Sequence, residues 1–118
     1  MDGTPAAEPQ LDLDYQLADN LTRETGRIFL TGTQALVRIM LTQRRIDRER
    51  GLNTAGFVSG YRGSPLGGVD MAMWKAQKAL DANQISFLPG INEDMAATAV
   101  MGTQQAGVRA DRNVAGVF

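Results

Sequence analysis

The clearest structural signal in this chain is Gly56-Phe57-Val58-Ser59-Gly60-Tyr61-Arg62-Gly63-Ser64-Pro65-Leu66-Gly67-Gly68. Its pattern predicts a buried strand, a tight glycine turn and the start of a helix. Ser64 has the side chain of a helix N-cap, and Pro65 fits the first helical position, where a missing N–H costs nothing. A turn between a strand and a helix is where α/β proteins place ligands. We therefore expect a functional site here.

The spacing of the glycines leaves two interpretations of this turn open. Backbone N–H groups of Gly60–Gly68, at the start of a helix, could cradle a phosphate. However, no lysine follows Gly68, as the pattern G-x-x-x-x-G-K-[ST] would require, and the spacing is not G-x-G-x-x-G. An ordinary tight turn with a Ser-Pro helix cap explains the same residues equally well.

Strands and helices are expected to alternate along the rest of the chain. Apolar runs predict strands over 27–32, 54–60, 85–90 and from Asn113 onward. Helices are expected from an N-cap at Thr33 to Gly51, from Pro65 or Leu66 to Leu80, and from an N-cap at Asn92 to about Gly107. This β-α-β-α-β-α-β order predicts an α/β fold, a parallel sheet with right-handed βαβ crossovers. Residues 1–24 are interpreted as an N-terminal tail and residues 25–118 as the domain.

Composition excludes several classes of function. With 118 residues and a net charge of −1, the chain is at most one ordinary domain and has no basic field for nucleic acid. It has no cysteine, which excludes disulfides, thiolate catalysis, and an iron–sulfur cluster held by this chain alone. It has no histidine either, which removes the commonest general base and zinc ligand. No apolar run approaches the roughly 20 residues of a membrane helix, and the N-terminus lacks the features of a secretory signal. A cytoplasmic location is therefore expected.

Three further features have a structural explanation beside a functional one. The arginine-rich segment 44–50 is interpreted as a solvated helix end rather than a phosphate or partner site. Ala99, Gly102 and Ala106 leave one helix face almost bare, which invites another backbone to approach. Glu93 lies in a first helical turn, where the helix dipole favours a carboxylate. A functional interpretation requires a buried carboxylate that points at a ligand after a strand, a common arrangement for proton transfer.

Three blocks of the sequence resemble one enzyme family. They are Phe29–Arg38, Ser59–Gly68 and Asn92–Ala99. In this order they are similar to the start of indolepyruvate ferredoxin oxidoreductases in their long, fused bacterial form. That family belongs to the thiamine-pyrophosphate-dependent 2-oxoacid:ferredoxin oxidoreductases. The resemblance covers about residues 15–118.

The resemblance implies a fold and a set of site residues. The family's first domain is the pyrimidine-binding domain of thiamine enzymes, of which this chain would be an incomplete, N-terminal part. Relatives carry a turn similar to Tyr-Pro-Gly/Ile-Thr-Pro-Ser where this chain has Tyr61-Arg62-Gly63-Ser64-Pro65-Leu66. By this resemblance Ser64 approaches cofactor and substrate, and Tyr61, Gly63 and Pro65 line the cofactor site. Arg62 replaces the usual proline and would meet a substrate carboxylate.

Glu93 falls on the acidic residue with which thiamine enzymes hydrogen-bond the aminopyrimidine ring. The resemblance therefore implies that Glu93 and Ser64 are catalytic and that Glu93 takes part in a proton relay through that ring. The relay precedes attack on the 2-oxo carbon and loss of CO₂, with electrons stored on the cofactor. No metal ligand is expected in this chain.

The resemblance also implies what the chain lacks. The family binds pyrophosphate and Mg²⁺ through a Gly-Asp-Gly type motif on a separate domain, and that motif does not occur here. Mg²⁺ and the iron–sulfur clusters would belong to a missing remainder of the chain or to a partner subunit. The complete enzyme would oxidise indolepyruvate or another aryl 2-oxo acid to an acyl-CoA, with coenzyme A and ferredoxin as partners. Alone, this piece is expected to be inactive and to form a homo-oligomer. The alternative is a non-catalytic binding or interaction domain with the same fold.

Overall fold

The core of the fold is a small, all-parallel β-sheet covered by helices. The computed structural model describes residues 10–118, so the part of the predicted tail before Gln10 lies outside the described residues. The strands are β1 (Thr54–Val58), β2 (Ile85–Phe87) and β3 (Gly116–Val117), in the order β2-β1-β3. Both neighbours of β1 run parallel to it, with Gly56 opposite Ile85 and Thr54 opposite Gly116. The α/β fold with a parallel sheet is confirmed.

The helices lie before and between these strands. They are α1 (Asp19–Thr22), α2 (Gly32–Glu49), α3 (Gly67–Lys75), α4 (Gln77–Ala82) and α5 (Glu93–Gln104), and a 3₁₀ turn (Gln105–Val108) follows α5. Among residues 10–118, no helix has both the length and the apolar character needed to cross a membrane.

The predicted strand over 27–32 is wrong. These residues form no strand, and Phe29 is 81% exposed. Side chains provide the hydrogen bonds that a neighbouring strand would have made: the Tyr15 hydroxyl accepts from the Phe29 N–H at 3.1 Å, and the Gln34 side chain accepts from the Thr31 N–H at 2.9 Å. Two N–H groups of the segment are thus bonded by side chains rather than by a neighbouring strand.

The start of α2 is two residues earlier than predicted. Thr31, not Thr33, is the N-cap, and its hydroxyl accepts from the Gln34 N–H at 3.3 Å. The Gln34 side chain bonds back to the Thr31 N–H, which completes a capping box. The predicted helix end is confirmed: Gly51 follows α2 with a φ of 76°, in the left-handed region that favours glycine.

The predicted helix over 65–80 is interrupted. It begins at Gly67 rather than at Pro65 or Leu66, and Ala76 (φ −90°, ψ 1°) separates α3 from α4. An apolar stripe along the two helices is buried nonetheless, since Met73, Ala76 and Leu80 are 2%, 4% and 0% exposed. The three strands are also shorter than predicted. β1 ends at Val58, β2 ends at Phe87, and β3 begins at Gly116 rather than Asn113.

The hydrophobic core lies between α2, the α3–α4 pair and the sheet. Its buried members are Val37, Met73, Ala76, Leu80 and Ile85. Half-buried side chains pack around them, including Met40 and Leu41 from α2 and Phe118 after β3. The apolar face of α2 therefore contacts the core through Val37, Met40 and Leu41, while Leu36 is 41% exposed.

The arginine-rich end of α2 is not wholly solvated, which corrects the prediction for segment 44–50. Arg44 is buried and donates to the side chains of Gln84 at 3.1 Å and Asn53 at 3.4 Å. Asp47 is buried too, and it accepts from the Thr54 hydroxyl at 2.7 Å. These bonds attach the end of α2 to the residues around the starts of β1 and β2, so both side chains have a structural role.

The described part of the N-terminal segment contacts the domain. Arg38 of α2 donates to the backbone carbonyl groups of Asn20, at 2.8 Å, and of Arg23. Arg23 also forms an ion pair with Asp12 at 2.6 Å, and this hydrogen bond lowers the pKa of the exposed Asp12 carboxyl. Residues 12–23 are thus tied to α2 by hydrogen bonds to its first turns.

Candidate functional site

The candidate site lies at the carboxyl ends of β1 and β2, where a parallel sheet leaves room for a ligand. Past the last paired residues, the two strands remain joined by backbone bonds: the Leu88 N–H donates to the Val58 carbonyl at 3.0 Å, and the Gly90 N–H donates to the Gly60 carbonyl at 2.8 Å. The loops after the two strands therefore leave the sheet side by side. One leads to the glycine turn and the other to α5.

The glycine turn, residues 61–66, is held by its own backbone. The Ser64 N–H donates to the Tyr61 carbonyl at 3.0 Å, and the Gly67 N–H donates to the Ser64 carbonyl at 3.0 Å. The predicted Ser-Pro helix cap is wrong, because the N-cap of α3 is Leu66 and no side chain bonds to that helix end. The two successive turns delay the helix by two residues. They leave the Ser64 hydroxyl free of a capping role.

The position of the Tyr61 ring depends on the missing side chain of Gly63. A Cβ atom on Gly63 would lie 2.5 Å from the Tyr61 ring carbons and hydroxyl, far inside van der Waals contact. The ring therefore covers the bare backbone of Gly63 and is only 37% exposed. This close approach requires glycine at position 63.

On the other side of the site, α5 begins as predicted. The Asn92 side chain accepts from the Met95 N–H at 2.8 Å and is the N-cap. Glu93 and Asp94 occupy the first turn, and both are exposed. The cap fixes where the helix starts, so it also fixes the place of Glu93 next to the glycine turn.

A cleft of about 500 Å³ lies between the glycine turn and α5. It brings together three of the predicted site residues, Tyr61, Ser64 and Glu93. The rest of its lining is small or apolar: Ser59, Gly60, Ala96, Ala97, Val100 and Met101. Gly63 and Pro65 are not part of the lining; Gly63 acts through the Tyr61 ring, and Pro65 is an exposed residue of the turn.

The chemistry available in this cleft is that of one carboxylate and three hydroxyl groups, those of Ser59, Tyr61 and Ser64, against an apolar wall. Within residues 10–118, no lysine or arginine belongs to the lining, so this part of the chain offers the cleft no cation for a phosphate. Among residues 10–118, no three acidic side chains form a group that could hold a metal ion. Such a lining can hydrogen-bond a ligand at one carboxylate and pack apolar side chains against the rest of it.

A second, inner cavity of about 220 Å³ shares the wall formed by Ser59, Gly60, Tyr61 and Ser64. Its other lining residues are mainly apolar and include Leu36, Val58, Leu66, Val69 and Phe87. Phe87 in turn packs edge-on against Trp74, with ring centroids 5.4 Å apart. The glycine turn thus separates an open cleft from an apolar cavity behind it.

Sequence reasoning missed Asp70, which among the described residues is the only charged one that lines the inner cavity. Asp70 is buried, 6% exposed, in the first turn of α3. Its position three residues before Met73 on the buried stripe was the available signal, because carboxylates are rarely buried without a partner. The partner is Arg62, whose Nε donates to Asp70 Oδ2 at 2.7 Å.

Arg62 itself lies outside the lining of both cavities. Its side chain is 70% exposed, and the bond to Asp70 holds its Nε. The structure therefore places Arg62 against Asp70 and does not bring it to the cleft with Glu93.

Comparison of the chain with protein-family models, with curated proteins and with solved structures finds no match.

Proposed function

We propose that this chain supplies the aminopyrimidine side of a thiamine pyrophosphate site in a cytoplasmic 2-oxoacid:ferredoxin oxidoreductase of the indolepyruvate type. The observation that supports it is the single cleft that joins Tyr61, Ser64 and Glu93. Tyr61 and Ser64 are at least 29 positions away from Glu93 in the sequence. The resemblance to the family singles out all three residues independently of the fold. The parallel α/β sheet is the type of fold that the proposal requires.

The residues of the cleft fit the aminopyrimidine half of the cofactor and not its pyrophosphate half. The apolar side chains of α5 can pack on a flat ring, whereas the lining holds no cation for a phosphate. Thiamine pyrophosphate supplies the carbanion chemistry that decarboxylates a 2-oxo acid. Pyrophosphate, Mg²⁺ and the iron–sulfur clusters would be bound by other parts of a complete enzyme, which would also meet coenzyme A and ferredoxin.

Glu93 has the main chemical role in this proposal. Its carboxyl group hydrogen-bonds a ring nitrogen and passes a proton to and from it, as a positioned general acid–base does. Ser64 faces the same cleft and would hydrogen-bond the substrate or the reactive end of the cofactor. Tyr61, held over Gly63, closes one side of the cleft and limits the access of water.

Thiamine is the probe that tests this proposal on the chain itself. We expect thiamine to bind with a dissociation constant in the millimolar range and to shift the backbone amide signals of Tyr61, Ser64 and Glu93 in ¹⁵N-labelled protein. Glu93→Gln should weaken binding about tenfold, the loss of one hydrogen bond to a charged group. The measurement is an NMR titration of both proteins.

Asp94→Asn is the matched control. Asp94 lies in the same helical turn but does not line the cleft. Its substitution removes the same charge from the helix N-terminus as Glu93→Gln does. It should change thiamine affinity by no more than about twofold, a purely electrostatic effect of a surface charge. Equal effects of the two substitutions would contradict the role of Glu93. Thiamine pyrophosphate with Mg²⁺ should bind no more than a few times better than thiamine; micromolar binding would contradict the division of the site between two domains.

A further inference from the structure

The glycine turn carries two residues of the candidate cleft but belongs to no helix or strand. A backbone bond from the Ser64 N–H to the Tyr61 carbonyl closes the turn, and a second bond links the Ser64 carbonyl to the N–H of Gly67, the first residue of α3. Neither bond holds a side chain of the turn. A further contact is needed to fix where Tyr61 and Ser64 point.

The ion pair between Arg62 and Asp70 provides that contact. It joins the second residue of the turn to the first turn of α3, with Nε and Oδ2 2.7 Å apart. The Asp70 end is held in the protein, with a side chain 5% exposed, whereas the Arg62 side chain is 70% exposed. The buried carboxylate is therefore the fixed point, and the arginine is the part that is held.

Backbone packing at the same place makes the turn sensitive to this contact. A Cβ on Gly67 would lie 2.5 Å from the Arg62 carbonyl oxygen, so the backbone of Arg62 rests directly on the first residue of α3. A shift of Arg62 would move it either into or away from this contact. Tyr61 and Ser64, on either side of Arg62, would move with it.

Asp70 is an energetically unfavourable residue at a buried position. Its Oδ1 is buried and has no hydrogen-bond partner among the described residues. A buried, half-satisfied carboxylate opposes folding, and an uncharged side chain of similar shape is often no worse for stability. We therefore expect Asp70 to act on the position of the turn and not to increase the stability of the whole fold.

We propose that Asp70 is a positioning residue: through Arg62, it holds residues 61–66 in the conformation that presents Tyr61 and Ser64 to the cleft. Asp70 acts from the inner cavity, which shares Tyr61 and Ser64 with the cleft. This pairing also assigns Arg62 to the turn rather than to a substrate carboxylate. Only the consequence for ligand binding rests on the proposed function; the effect on the turn does not.

Asp70→Asn tests the proposal by amide hydrogen exchange. The substitution keeps the shape of the side chain and removes its charge, so the bond to Arg62 weakens. We expect the exchange rates of the Ser64 and Gly67 amides to rise about tenfold, since local opening of the turn becomes easier. The amide of Leu80 in the core should keep its rate, and the melting temperature should change by no more than a few degrees.

Arg62→Gln provides a second variant, which removes the charge of the exposed partner and leaves the Asp70 side chain in place; the Leu80 amide again reports whether the core is kept. This variant should reproduce the faster exchange at Ser64 and Gly67. Asp111→Asn is the control: it breaks an ion pair of 2.8 Å with Arg109 that is exposed on both sides and lies far along the chain. It should leave the exchange of the turn unchanged.

The outcomes separate this proposal from the proposed function. Unchanged exchange at Ser64 and Gly67 in both variants would overturn it, and so would a uniform rise that includes Leu80, which indicates a general structural role. Faster exchange confined to the turn, together with about tenfold weaker thiamine binding, supports it. If wild-type chain fails to bind thiamine while the turn still loosens in both variants, the cofactor assignment fails and the positioning of the turn by Asp70 stands.

Discussion

At Gly63, the absence of a side chain decides where an aromatic ring lies. The Tyr61 ring occupies the space into which a Cβ would project, at 2.5 Å. The ring is the far end of a side chain that can rotate, so a methyl group at position 63 would displace the ring rather than the backbone. The site and the stability of the fold should therefore respond differently to the same substitution.

Gly63→Ala should displace the Tyr61 ring from the cleft while changing the free energy of unfolding by less than about 1 kcal/mol, since rotation of one side chain relieves the clash. NMR contacts between the Tyr61 ring and residue 63 would report the displacement, and urea unfolding the stability. Gly102→Ala is the control, because nothing lies within 4 Å of its added methyl group. That change should stabilise α5 by about 0.5–1 kcal/mol. A Tyr61 ring that keeps its place in Gly63→Ala would contradict this account.

At the scale of the element, α2 shows how a cap can replace a strand. The segment before it satisfies its backbone groups with Tyr15 and Gln34, and Gln34 is also half of the capping box with Thr31. The side chain that starts the helix therefore also ends the extended segment. Two threonines stand near this point, and only the geometry of the box distinguishes them.

Thr31→Ala should destabilise the protein by about 1 kcal/mol, the usual cost of losing a helix N-cap. Thr33→Ala is the matched control: it removes the same group two residues later, inside the helix, and with it only the 3.2 Å contact between the hydroxyls of Thr33 and Thr31. That substitution should alter stability by less than about 0.5 kcal/mol, because alanine is the better helix former there. Chemical denaturation followed by circular dichroism measures both. If Thr33→Ala were the more harmful change, the helix would begin at the later residue.

At the scale of the whole molecule, a small core connects the sheet to α2 and to the α3–α4 pair. Leu80, completely buried on α4, meets Val37 of α2 and Ile85 of β2 in this core. The buried pair Arg44 and Asp47 ties the other end of α2 to the sheet. Loss of packing in the core should therefore affect every element at once.

Leu80→Ala should lower the free energy of unfolding by about 2–5 kcal/mol, a large part of the stability of a domain of this size. Leu17→Ala removes the same atoms from a side chain that is 88% exposed, and it should cost no more than about 0.5 kcal/mol. Thermal and urea unfolding of the two variants give the comparison. A similar loss in both would show that the core does not lie around α4.

Much of the element order could be predicted from local patterns. The glycine turn after β1, the Asn92 cap of α5 and the left-handed Gly51 depend on a few neighbouring residues, and each lies where it was expected. The strand expected over 27–32 failed because its apolar residues have no partner strand, and Phe29 lies in solvent instead. An apolar run shows that burial would be favourable, not that a neighbour is in place to provide it.

For the candidate site, the sequence by itself determined the chemical groups: a carboxylate at the start of α5, and a hydroxyl and an aromatic ring on a glycine turn. Only the tertiary structure decided which of them meet. Parallel pairing of β1 with β2 brings Glu93 to Tyr61 and Ser64 in one cleft, and it leaves Gly63 and Pro65 outside the lining. The contact of Arg62 with Asp70 was also decided by the tertiary structure. Side-chain contacts between segments depend on sheet register and helix start, which are set by packing over the whole molecule and not by any local run of residues.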